Sequence, residues 1–256
     1  MIDLKLTELK LLNARYAEET LGMDVLTREG TREWSTVCGY LNDIAPEHEY
    51  CLMHNTEKKA LNWIASRLES NSLVVEVGSF LGCSSAIMAH ANPTLRIKSI
   101  DLFDKNTADA KIKNHYQTTS QNSWLKYFLG PGKIRSKSNV EHRLKHYPNL
   151  EFLEGTSPDD FLNTDITDID LYFEDGTHKN PGLGRNIDFW EPRVRPGGLI
   201  LLHDYCPWYP LEYDFKIKTT HPKRFIDVEK ELSKLIERGY ILEGTVSSLA
   251  ILRKPR

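Results

Sequence analysis

Within residues 73–101 the polarity of the chain changes character several times over a short distance. Leu73–Val77 is an apolar run interrupted by one acid, Glu76, and bounded by turn residues, the pattern of a strand covered on both faces. Gly78 and Gly82 follow, then a helical segment over 84–91, then a second strand that closes on Asp101. Upstream, Ala60, Leu61, Ile64 and Leu68 recur at helical spacing behind Thr56, a good capping residue, so a helix over 56–68 is expected to pack beside the first strand. Downstream, apolar runs at 150–153, 169–173 and 199–202 are separated by segments read as helix, one starting near residue 158 and one including 186–190. This β, α, β alternation implies parallel strands joined by right-handed crossovers. A helix is expected over 224–238, and the runs at 240–243 and 249–252 have only GTVSS between them. A link that short requires a hairpin, so one strand at the end of the sheet must run antiparallel to the rest.

Two regions carry weaker patterning. Leu9, Leu12 and Tyr16 suggest an amphipathic helix in a first segment, 1–55, that reads as a lid or an oligomer contact. Residues 105–147 are too many for an ordinary connection. Trp124, Leu125, Phe128 and Leu129 suggest helix there, Gly130-Pro131-Gly132 ends it, and a basic patch follows. The organisation expected is one α/β domain over 56–256 with an insertion at about 105–147, preceded by the first segment. The insertion would lie near the carboxyl ends of the strands, where it serves either substrate contact or a solvated loop.

Charge narrows the partners. With 33 basic against 36 acidic residues and a net charge of −3, neither a nucleic-acid groove nor an anionic membrane surface is favoured. No apolar run is long enough to span a bilayer and the start, MIDLKLTELK, alternates charges, so a cytoplasmic protein with a small-molecule partner is expected. Cys38, Cys51, Cys83 and Cys206 form no CxxC pair, which fits reduced structural thiols.

The candidate chemistry gathers at strand ends. Gly78 and Gly82 allow a sharp turn and close backbone approach, the first N–H groups of the next helix face that turn, and Asp101 stands where an acid takes ribose hydroxyls. Taken alone, the same glycines also suit a tight β–α turn in any α/β protein. Further on, Glu154-Gly155-Thr156-Ser157, Glu174-Asp175-Gly176-Thr177-His178 and His203-Asp204-Tyr205 each follow a strand.

Together, Glu76-Val77-Gly78-x-x-x-Gly82-x-Ser84, Asp101, the Pro196-Gly197-Gly198 turn and the closing hairpin resemble a class I S-adenosylmethionine-dependent methyltransferase. The spacing departs from the GxGxxG of dinucleotide sites and is similar to that of catechol-type O-methyltransferases. The acids and histidines after strands four and five are similar to those of the family that includes macrocin O-methyltransferase and cephalosporin hydroxylase-like proteins. The resemblance implies a Rossmann-like, seven-stranded, mostly parallel sheet with a C-terminal antiparallel hairpin and helices on both faces. It also implies that Gly78, Ser79, Gly82 and Ser84 line the methionine end of S-adenosylmethionine, with Glu76 bracing the turn. Asp101 would hold the ribose, Ser157 the adenine, and Leu102 or Phe103 would pack on the ring, with Asp175 bordering the cofactor. In metal-dependent members the acids ending strands four and five hold magnesium, which maps onto Asp175 and Asp204. His203 then falls where relatives often have a further acid, and imidazole suits magnesium poorly.

The reaction so implied is O-methylation of a small-molecule hydroxyl, of a sugar or secondary metabolite. His178 and His203 are the candidate proton acceptors, each also readable as a histidine that holds a loop. Asp175 and Asp204 carry the alternative of capping the turns that follow them. Trp208, Tyr209 and Tyr213 would wall the acceptor pocket or pack on the core, and Arg185 and the basic residues of 216–224 read as a solvated face. The rival functions are an NAD(P)-dependent oxidoreductase on the same sheet and a non-catalytic Rossmann-like binding protein.

Overall fold

The computed structural model describes residue 53 and residues 55–103, 136–205, 222–246 and 248–256. The expectations for Leu9, Leu12 and Tyr16, for Trp124 to Leu129 and for Trp208, Tyr209 and Tyr213 lie outside these residues.

Helix α1 (Asn55–Ser66) leads into β1 (Leu73–Val77), α2 (Cys83–Ala91) and β2 (Arg96–Asp101). Then come α3 (Lys137–Leu144), β3 (Leu150–Glu154), β4 (Ile169–Glu174), α4 (Gly182–Trp190) and β5 (Val194–Leu202). Helix α5 (Pro222–Glu237) and strands β6 (Ile241–Val246) and β7 (Leu249–Arg253) close the chain. The seven strands form one sheet in the order β3-β2-β1-β4-β5-β7-β6. The first five strands are parallel, and β7 lies antiparallel between β5 and β6. The expected fold class is therefore the one observed. Among the described residues no helix is long and apolar enough to cross a membrane.

All five residues of β1 are buried, because neighbours flank it on both sides and side chains alternate between two cores. Val74, Leu171, Phe173, Leu199, Leu201 and Ile251 face the layer that holds Leu61 and Ile64 of α1 and Ile87 and Met88 of α2. The intervening Val75, Tyr172, Ile200 and Leu252 face Ile187 and Trp190 of α4 and Leu232 and Leu235 of α5. Each such fully buried side chain stabilises the fold by roughly 1.5–3 kcal/mol. Helix α1 packs across α2 on the same face, which brings its first turn to the carboxyl edge of β5.

Three local expectations change. The segment after residue 158 makes only a single 3-10 turn, Asp159–Phe161, since Asp160 turns its carboxylate back to the Thr156 N–H at 2.8 Å. The Pro196-Gly197-Gly198 turn lies inside β5, where the pairing with β4 jumps from Val194 to Leu199 and the residues between bulge out. The hairpin strands also extend into GTVSS, β6 ending at Val246 and β7 beginning at Leu249.

Candidate methyltransferase site

The carboxyl ends of β1, β2, β4 and β5 meet along one edge. The order of strands reverses between β1 and β4, and it is there that an open parallel sheet leaves a crevice. Gly78 turns out of β1 with φ +102°, its N–H donating to the Ile100 carbonyl at 2.9 Å. A Cβ on Gly78 would sit 2.3 Å from the backbone of Asp175, so the glycine is required by the neighbouring strand end. Gly82 is likewise left-handed, at φ +74°, and a Cβ there would meet Leu144 at 2.7 Å and Phe152 at 2.9 Å. The glycines that the spacing singles out thus let strands and helices close on one another, and the crevice follows from that closure.

Glu76 is wholly buried, and its carboxylate collects hydroxyl donors from Ser84, Ser85 and, at 2.6 Å, Ser99. Burial pushes its pKa up to about 7 against the pull of those three hydroxyls. Glu76 braces the turn, and Ser84 commits its hydroxyl to that brace. Ser79 differs: its hydroxyl oxygen is buried and has no hydrogen-bond partner among the described residues. A buried unpaired hydroxyl at a glycine turn is a group waiting for a ligand. Asp101 accepts the Phe80 N–H at 2.7 Å on one oxygen and the Phe103 N–H at 2.8 Å on the other. A carboxylate oxygen carries more than one lone pair, so a single backbone donor does not exhaust it. Phe103 is buried edge-on against Phe152, with ring centroids 6.0 Å apart, whereas Leu102 stays half-buried at the edge. Ser157 accepts the Trp190 indole N–H at 2.9 Å. Ser79 and Asp101 therefore fit S-adenosylmethionine, and Glu76 and Ser84 support them from beneath.

The other half of the edge is ionic. Asp175 donates its N–H to the Val77 carbonyl at 2.8 Å, which fixes it beside the glycine turn. Its Oδ1 lies 2.8 Å from His203 Nδ1 and 3.9 Å from His178 Nε2. Asp204, left-handed at φ +60°, brings Oδ2 to 3.4 Å from His178 Nδ1 and Oδ1 to 3.5 Å from His203 Nδ1. The second ring nitrogen of His203 faces Glu57 Oε2 at 3.2 Å. Burial by itself disfavours the charged ring, but the charges and hydrogen bonds of Asp175 and Glu57 carry the His203 pKa well above the usual histidine range. Beneath this set, Glu174 receives the Tyr172 hydroxyl, the N–H groups of Gly176 and Thr177 and the Asn186 amide. Burial raises its pKa to about 7. Arg185, at the surface, pairs with Asp159.

The structure thus brings Asp175, His178, His203 and Asp204 together, as the sequence suggests, and adds Glu57, whose Oε1 accepts the Ser248 N–H at 2.7 Å and hydroxyl at 2.6 Å. Sequence reasoning passed over Glu57. The signal was present, because Glu57 stands four residues before Leu61 and seven before Ile64, an acid on the apolar stripe of its helix. Asp175, His203 and Asp204, the expected magnesium ligands, do not fit that ion. Both nitrogens of His203 face carboxylates, and among the described residues no three such side chains converge where a metal ion could be held.

A family model described as a methyltransferase domain matches residues 75–205. A Podospora anserina methyltransferase solved with S-adenosylhomocysteine bound shares 12% identity with this chain, covering 91% of it and 98% of that chain, with a TM-score of 0.58. An O-methyltransferase from Bacillus cereus in complex with S-adenosylhomocysteine shares 15% identity over 96% of this chain and 100% of its own, with a TM-score of 0.52. The O-methyltransferase TomG from Streptomyces achromogenes, in complex with S-adenosylmethionine, shares 16% identity over 97% and 99% of the two chains, with a TM-score of 0.52. At such identities the likeness is one of fold. No curated protein matches the chain in sequence. The matched region runs from β1 to the end of the ionic cluster and covers just over half of the sequence, so the chain belongs to the methyltransferase-domain family and is a class I, S-adenosylmethionine-dependent methyltransferase.

Proposed function

We propose that the chain transfers the methyl group to a hydroxyl of a small molecule, of the sugar or secondary-metabolite kind. The observation that carries this reading is His178, an imidazole set at the end of β4 beside the glycine turn with Asp204 Oδ2 3.4 Å from its Nδ1. When bound, S-adenosylmethionine supplies an electrophilic methyl on a sulfonium, and in-line displacement then demands an aligned, deprotonated acceptor. Asp204, with Oδ2 3.4 Å from Nδ1, stabilises the ring once it has taken the hydroxyl proton, and Nε2 is the atom assigned to accept that proton. Nε2 lies 3.9 Å from Asp175, beyond hydrogen-bond length, so this carboxylate does not hold it. Asp101 and Ser79 serve the cofactor side, and Glu174 holds the turn that carries Asp175 and His178. The magnesium assistance implied by the family resemblance finds no donor set among the described residues.

Titration calorimetry with S-adenosylhomocysteine, followed by transfer of labelled methyl from S-adenosylmethionine to a panel of hydroxylated sugars and phenols, tests the reading. Binding is expected, and His178→Ala is expected to lower turnover about a hundredfold or more with cofactor affinity unchanged. Absence of binding overturns the whole reading, and undiminished turnover in His178→Ala overturns the role of the histidine.

A further inference from the structure

Two carboxylates at the ends of adjacent parallel strands, Asp175 after β4 and Asp204 after β5, are the ones that the family resemblance implies for magnesium, yet a side chain stands between them. The His203 ring has Nδ1 2.8 Å from Asp175 Oδ1 and 3.5 Å from Asp204 Oδ1. The ring is held from behind. Glu57, only 1% exposed, reaches from α1 to Nε2 at 3.2 Å, and its other oxygen is fixed by the N–H and hydroxyl of Ser248 in the β6–β7 turn. Phe173 stands edge-on to the imidazole with centroids 6.3 Å apart. To reach magnesium, these carboxylates would have to turn their oxygens to about 2.1 Å from a common point in octahedral array. Asp175 already directs Oδ1 to a nitrogen donor, and that donor cannot move without breaking the Glu57 contact.

We propose that His203, locked by Glu57, stands in the place of the divalent ion, so that this methyltransferase neither binds nor uses a metal in its acceptor site. Glu57 is then a positioning residue: it acts through His203 on the direction of the Asp175 carboxylate. This inference rests on the reading of the edge as a methyl-transfer site.

The test is titration of Mn2+ alone into the full chain saturated with S-adenosylhomocysteine, followed by the electron paramagnetic resonance signal of free Mn2+. The expected result is a signal indistinguishable from the buffer control. Stoichiometric loss of the signal that Asp175→Asn abolishes would overturn the proposal; loss that persists in Asp175→Asn places the ion elsewhere and supports it. His203→Asp, which sets two acids side by side, is expected to gain Mn2+ affinity at least tenfold while still binding S-adenosylhomocysteine. A folded, cofactor-binding His203→Asp protein that takes up no more Mn2+ than wild type would overturn the assignment to His203. If that variant does not fold, the wild-type titration decides. Failure of cofactor binding by the wild type tells against the underlying function instead, so the two failures are distinguishable.

Discussion

At the ends of β1 and β2 one buried carboxylate, Glu76, is met by the hydroxyls of Ser84, Ser85 and Ser99, whereas at the ends of β4 and β5 the carboxylates of Glu57, Asp175 and Asp204 share two imidazoles. The polar side chains of the first half all come from residues 76–103, a strand, its turn and the next strand, packed against Leu144, Phe152 and the backbone of Asp175. The second draws on α1, β4, β5 and the β6–β7 turn, from residue 57 to residue 248. The cofactor half thus takes its polar groups from one short stretch of chain, while the acceptor half takes them from parts of the chain that are distant in sequence. Binding of the donor and treatment of the acceptor should respond differently to mutation for that reason.

The largest effect should come from the seam between the halves. Gly78→Ala places a Cβ 2.3 Å from the Asp175 backbone at a residue with φ +102°, a clash that only movement of β1 or β4 can relieve. We expect a loss of about 4 kcal/mol or more and loss of S-adenosylhomocysteine binding, read by chemical denaturation and calorimetry. A variant that keeps both would show the two halves to be less closely joined than the backbone contact implies.

Glu57→Gln should separate them. It removes one of the three carboxylate charges facing the buried His203 ring, a change that costs about 3 kcal/mol, on the side of the ring away from the glycine turn. Denaturation should show the loss, and the affinity for S-adenosylhomocysteine should stay within a few-fold of wild type. A matching collapse of cofactor affinity would mean that the halves are energetically one.

The smallest effect is shared by both halves. Glu76 and Glu174 have their pKa raised to about 7, so the folded protein holds protons that the unfolded chain has released above the ordinary carboxyl range. Stability should therefore fall as the pH rises from 6 to 8, by about 1 kcal/mol per carboxyl. His203, raised above the usual histidine range, contributes stability that is full below that range and is lost as the pH climbs toward its folded value, in the same direction. Thermal melts across this interval check the sign, and a protein that becomes more stable toward pH 8 would contradict it.

The parallel strands, the antiparallel hairpin and the glycine turn are legible in the chain because each depends on neighbours in sequence, whereas the order of the strands in the sheet is not. Buried strands read as apolar runs, a short link forces a hairpin, and glycine appears where the backbone must take a left-handed turn. The pattern after residue 158 predicts helix where a single turn forms, because the competition of Asp160 for the Thr156 N–H leaves no trace in apolar periodicity. Asp175, His178, His203 and Asp204 were identified at strand ends, since parallel topology brings those ends to one edge. Their partners were another matter. Which oxygen faces which nitrogen, and that Glu57 reaches His203 from the far side, depends on how α1 crosses α2 and where the β6–β7 turn falls.

Sequence alone, then, determined a parallel α/β sheet with a crevice at Gly78 and Asp101 and the set of acids and histidines beside it. Tertiary structure decided that the set is closed by a histidine between carboxylates instead of being open to a metal ion. The physical reason is that backbone pattern is governed by short-range sterics and burial, whereas the pairing of charged side chains is settled only when packing removes water and leaves each charge the partner that stands nearest.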